Sequence, residues 1–182
     1  MTDPADPGEP LADADPDEFE DLPTSDIEVE CHVHFGMTGS FPLRLAEVFF
    51  ANDGLHVAEY GYLTPLFGLG MRKHRREAGA MERIYEVHGI DEVLLQADAV
   101  HWYGYGALDR VVLHDGGQLG RPRLAVHPAT GASHAYRLHE VDDFDALCEA
   151  VATCGDRHGV AVERGRGLGF SPRESVERFF LD

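Results

Sequence analysis

Two histidines spaced i, i+2, His32 and His34, are the side chains in this chain best placed for metal chemistry. Alternate side chains of an extended strand share a face, so both imidazoles point the same way. Glu30 falls on that face as well and would be a third ligand. Cys31 points to the opposite side and cannot join. No further carboxylate or histidine cluster follows at a spacing that closes a site. The remaining histidines, at 56, 74, 88, 101, 114, 127, 134, 139 and 158, are scattered singly. A solvated strand face is the plainer reading, and neither a metal nor another cofactor is expected.

Other reactive groups are sparse. The five serines, at 25, 40, 133, 171 and 175, include no GxSxG elbow, so a serine nucleophile finds no support. Cys148 lies on an apolar helical stripe, where a thiol acts as a small hydrophobe. Gly165, Gly167 and Gly169 alternate with Arg164 and Arg166 ahead of Ser171-Pro172, and their amides could cradle a phosphate. Without a following Gly-Lys-Ser/Thr the run reads as a connector. Arg72, Lys73, Arg75, Arg76 and Arg83 form a basic cluster that pairs equally well with the chain's own acids. An aromatic set (Tyr60, Tyr62, Phe67, Trp102, Tyr103 and Tyr105) flanks that cluster in sequence, and aromatics with arginine mark binding centres.

The charge is lopsided. There are 33 Asp and Glu against 15 Lys and Arg, a net of −18, with Lys73 the single lysine. Such a balance resembles cytosolic proteins of microbes that accumulate molar salt, where self-repulsion is screened. Nucleic acid is excluded as a partner, because phosphate neutralisation needs a broad basic footprint. Residues 1–26 carry ten acids, no base and five prolines, which predicts a disordered acidic tail. The uncharged run Tyr60–Met71 is too short and too broken by Pro65, Gly68 and Gly70 to span a bilayer. An odd set of three cysteines with no CxxC fits reduced thiols in a cytoplasm.

Periodicity supplies the scaffold. Ile27, Val29, Cys31, Val33 and Phe35 alternate with Glu28, Glu30, His32 and His34, predicting a half-buried strand. Leu45–Phe50 and Leu55–Tyr60 form a hairpin about Asn52-Asp53-Gly54. Residues 72–98 read as a helical insert. Its apolar face is Ala78, Met81, Ile84, Tyr85 and His88, with a stop at Gly89 and a second face at Ile90, Val93, Leu94 and Ala97. Strands follow at His101–Tyr105, Arg110–His114, Arg123–His127 and Ser133–Leu138. A helix opens at Asp142, buries Phe144, Leu147, Cys148, Val151 and Ala152, and ends at Gly155. A short strand, Val160–Glu163, and a last helix from Ser171 complete the chain.

The hairpin Val48–Ala58, with its Asn-containing turn, resembles the second hairpin of pleckstrin-homology (PH)-like and GRAM-like domains. Tyr105–Leu113 is similar to their short apolar turn into a strand. The resemblance implies an α+β fold for residues 27–155: a partly closed antiparallel barrel with a helical insert and a capping C-terminal helix, followed by a 156–182 extension. It implies a non-catalytic binding module. The expected contact residues are Arg72, Arg75, Arg76, Trp102 and Tyr103, and the expected partner is a protein, because salt screens diffuse attraction to lipid headgroups. Peripheral lipid or phosphate contact through the basic insert is an alternative, as is a metal-dependent enzyme built on His32 and His34.

Overall fold

The computed structural model describes residues 27–38, 43–62, 70–117 and 120–167; side chains are not described at 62, 70 and 71. The expected acidic tail and the helix from Ser171 lie outside these residues. Eight strands form one sheet: β1 (Val29–Thr38), β2 (Arg44–Ala51), β3 (Gly54–Tyr62), β4 (Ala99–Tyr103), β5 (Leu108–His114), β6 (Arg123–Pro128), β7 (His134–Leu138) and β8 (Ala161–Gly165). Their order is β4-β3-β2-β1-β7-β6-β5-β8. Every pair is antiparallel except β5–β8, which is parallel and joined through a helix as that geometry requires. The strand expected after residue 155 is therefore part of the main sheet.

The sheet is open, so the partly closed barrel is corrected to a curled sheet. Laid flat, β4 and β7 would stand four strand spacings apart, roughly 19 Å. The rings of His101 on β4 and His134 on β7 are instead 5.0 Å apart. The curl brings the edge strand β4 against β7 through side chains, with no backbone ladder between them. Its concave face holds the larger core, including Val48, Val57, Val111, Leu124 and Tyr136. Helix α3 (Phe144–His158) packs Val151 and Cys154 into that core, with Phe144 and Leu147 partly buried against it. On the other face α1 (Gly70–His88) and α2 (Ile90–Gln96) cover Phe35, Met37, Leu45, Phe49 and Tyr60.

The insert is helical as the spacing predicts, broken at Gly89 with φ 81°. Ala78 and Met81 are buried by it, whereas His88 is exposed and does not belong to the apolar face. The hairpin about Asn52 and Asp53 also stands, with Ala51 opposite Gly54. Gly54 is required there: a side chain would lie 2.6 Å from the Tyr103 carbonyl oxygen, so β4 could not approach β3.

Two expectations about α3 shift. Its N-cap is Asp143, whose carboxylate accepts from the Ala146 amide at 2.9 Å, one residue later than predicted. Gly155 does not end the helix, which runs on to His158 and stops at Gly159 in the left-handed region. Gly155 instead lets β8 pass close, since an added Cβ would press on Val162 and lie 2.8 Å from the Val160 carbonyl oxygen.

Gly155→Ala should accordingly cost about 1–3 kcal/mol, read as a lower urea midpoint. Gly79→Ala on α1, where nothing lies within 4 Å of the new methyl, should gain about 0.5–1 kcal/mol from helix propensity. Equal midpoints for the two variants would contradict this packing.

Candidate functional site

Strand β1 does not keep a single alternation. Register shifts fall between Val29 and Cys31 and between Val33 and Gly36. Each inserts one residue and turns the following side chains over. Ile27, Val29 and Phe35 therefore pack under α1, while Cys31 and Val33 lie in the concave core. Glu30 is carried away from the histidine face to α3, where Arg157 Nη1 (2.8 Å) and His158 Nε2 (2.9 Å) meet its carboxylate. The expected third ligand is thus corrected. Phe35, at the second bulge, holds φ 52°, the one non-glycine residue with positive φ among those described.

The carboxylate that faces His32 and His34 comes from β2. Leu45, Glu47 and Phe49 point toward α1, and Glu47 is fully buried. Its Oε2 lies 2.8 Å from His32 Nε2 and 3.0 Å from His34 Nδ1, and the Phe35 amide donates to it at 3.4 Å. The Tyr60 hydroxyl donates to Oε1 at 2.6 Å. His32 is stacked on Phe49 (4.4 Å) and covered by Tyr85 of α1, so its ring cannot swing away. Glu82 Oε2, also on α1, stands 3.9 Å from the outer nitrogen of His34.

Electrostatics tie the group together. Burial acts to raise the Glu47 pKa, but the hydrogen bonds from His32, His34 and Tyr60 outweigh it and hold the carboxyl below the usual range. Burial acts to lower that of His34, yet the bond to Glu47 and the charges of Glu47, Glu82 and Glu140 raise it. Tyr60 is pushed up by burial and then by Glu47, so it stays a donor. Glu47 was the residue to find from sequence. A lone acid on the buried face of Leu45–Phe50 demands partners, and that was the signal.

A second histidine–carboxylate group closes the curl on the concave side. Glu59, His101 and His134 present ligand atoms within 4.8 Å of one another, as do His32, His34 and Glu47. Here Glu59 also receives the Tyr136 hydroxyl (3.2 Å) and the Arg44 guanidinium (3.6 Å). A fixed cation beside the carboxylate opposes a dication, so this group reads as a seam between β4 and β7.

The expected contact residues are spread over the molecule. Arg72 and Arg76 are exposed, and Arg75 Nε pairs with Glu140 at 3.4 Å. These early turns of α1 lie near the Gly61 end of β3, beside Glu77. Trp102 faces His56, five residues back along that strand, roughly 17 Å away. Tyr103 is half-buried in the concave core, on the opposite side from Trp102. In the glycine run Gly165 ends β8 and Gly167 follows it; the Gly117 and Gly167 amides both donate to Asp115, and that carboxylate repels a phosphate. A cleft of about 260 Å³ beside α3 and β8, lined by Cys148, Val162 and Arg164, lies away from either histidine group.

Arg75 instead faces a cationic corner. His139 is held down to about 4 by burial, then by Arg121, Arg137, His74 and Arg75.

No protein-family model and no curated protein matches the chain. Among solved structures it is similar to the hSac2 domain from human phosphoinositide phosphatase Sac2, at 11% identity, with 82% of each chain covered and a TM-score of 0.46. A likeness at that level carries no argument about ligand or activity.

The His139 environment fixes a pH dependence. An unfolded chain takes up the His139 proton near pH 6.5, whereas the folded one refuses it until about pH 4. The His139 contribution to stability therefore falls as pH drops through that window. His139→Gln should fall less steeply than the parent between these limits in chemical denaturation at stepped pH. Parallel curves would show that the ring is not held neutral.

Proposed function

We propose that the chain is a metal-binding protein whose centre is a zinc-class divalent ion on His32, His34 and Glu47. The observation that carries this reading is a fully buried carboxylate, one oxygen of which meets two imidazole nitrogens at 2.8 and 3.0 Å. A tetrahedral ion sets its donors about 3.4 Å apart, so Glu47 Oε2 needs to part from each imidazole nitrogen by only about half an ångström. Two imidazoles and one carboxylate suit zinc, with iron(II) as the related choice. Tyr60 occupies the other carboxylate oxygen and orients it. Glu82 takes the outer-shell place, where a ligating histidine offers its second nitrogen to an acid. The positive φ at Phe35 fits the same reading, because strained backbone gathers at functional sites. The architecture is read, within this proposal, as an opened relative of the PH-like plan, supported by the hairpin order before α3.

Protein purified without a histidine tag should bind one zinc per chain by elemental analysis. Glu47→Gln and His34→Ala should lose it. Glu82→Gln, at an exposed position that leaves the fold intact, should weaken binding about 10–100-fold. Substoichiometric zinc in the parent after loading, or full retention in Glu47→Gln, would overturn the centre.

A protein-partner surface is a second reading, favoured by the exposed apolar side chains of Leu95 on α2 and of Val100 and Trp102 on β4. Trp102 is 57% exposed, and β4 is the last strand of the sheet among the described residues. No described helix is long and apolar enough to cross a membrane. Trp102→Ser with Val100→Asp should abolish capture of a partner while leaving the zinc content unchanged. Undiminished capture removes this surface from consideration.

A further inference from the structure

We infer that the cationic corner between α1 and β6–β7 binds a phosphate group. It stands or falls apart from the metal centre, with which it shares no residue. Arg123 and Arg137 lie directly opposite each other on β6 and β7, so two guanidinium groups leave the same face of the sheet side by side. Burial and then the charge of Arg137 lower the pKa of Arg123. Arg121, from the β5–β6 connection, donates to His139 Nδ1. His74 and Arg75 approach from α1.

These cations gather in a chain of net charge −18, where carboxylates are plentiful. Glu140 is nonetheless the acid at the corner, and it engages Arg75 at 3.4 Å. Neither Arg121 nor Arg137 has a carboxylate at ion-pair distance among the described residues.

Two unpaired imidazole nitrogens supply the independent observation. With Nδ1 accepting from Arg121, His139 carries its proton on Nε2, and that nitrogen is buried with no acceptor. His74, itself 95% buried, leaves Nδ1 without a partner in the same corner. An imidazole donor beside arginine forks suits an oxyanion with several acceptor oxygens. A phosphate offers one more oxygen than a carboxylate and a second charge near neutrality. Direct fork contacts also survive high salt, where diffuse attraction does not.

The test uses the full chain with its histidine rings observed by nitrogen-detected NMR at constant ionic strength. Inorganic phosphate should shift the His139 and His74 signals saturably and raise the His139 titration midpoint from about 4 by at least one pH unit. Arg121→Gln with Arg137→Gln should lower affinity at least tenfold, while Arg72→Gln on the same helix leaves it unchanged. Vesicles carrying phosphorylated inositol lipids, set against phosphatidylserine vesicles, separate a headgroup from a soluble phosphate ester; selective retention on the former assigns the lipid source. A linear, unsaturable response shared by parent and double variant would show that no phosphate site exists. If neutralising the ten acids of residues 1–26 moves the His139 signals as far as phosphate does, the chain's own tail fills the corner and the assignment fails.

Discussion

A carboxylate sealed beneath a helix is the constraint on which the α1 side of this sheet depends. An ion of that size left unpaired in a protein interior costs several kcal/mol, more than one domain can spare. Glu47 is tolerated because three side chains and one amide converge on it: His32 and His34 from β1, Tyr60 from β3 and the backbone of Phe35. The convergence needs β1 to bulge at Phe35, since a regular strand would send that residue to the concave core. Backbone irregularity and buried charge are thus one feature, and removing either exposes the other.

The same strand divides the molecule's two cores. Its bulges send Cys31 and Val33 toward α3 and Ile27, Val29 and Phe35 toward α1. Each side then acquires its own polar clasp. On the concave side Glu59, His101, His134 and Tyr136 join the strands that the curl brings together; at the end of α3, Glu30 joins Arg157 and His158. Histidine–carboxylate pairs recur at all three places. In a chain this acidic, imidazoles are the partners that bury most easily, because they carry charge only when a carboxylate favours it.

Much of this architecture is legible in the sequence where local chemistry decides it. Asn52-Asp53-Gly54 makes the hairpin, the three-and-four spacing from Ala78 to Tyr85 makes α1, and the acids at 142 and 145 announce α3, although its cap is Asp143. What escapes is whatever long-range packing decides. The period-two pattern of residues 27–35 assigns every side chain to one face or the other, but a bulge adds a residue without leaving a mark in that pattern. Glu30 was misplaced for this reason. Gly155 carries the signature of a helix stop, and only the passage of β8 beside it explains its presence within α3. Glu47 was visible as an acid among apolar neighbours, yet its partners lie on β1 and β3, and pairing them requires the register that no single segment supplies.

X-ray absorption at the zinc edge of the loaded protein tests the Glu47 centre most directly. The account predicts a first shell of nitrogen and oxygen at about 2.0–2.1 Å with the outer-ring scattering of two imidazoles. A sulfur shell near 2.3 Å, or a shell of oxygen alone, would place the ion elsewhere and contradict it.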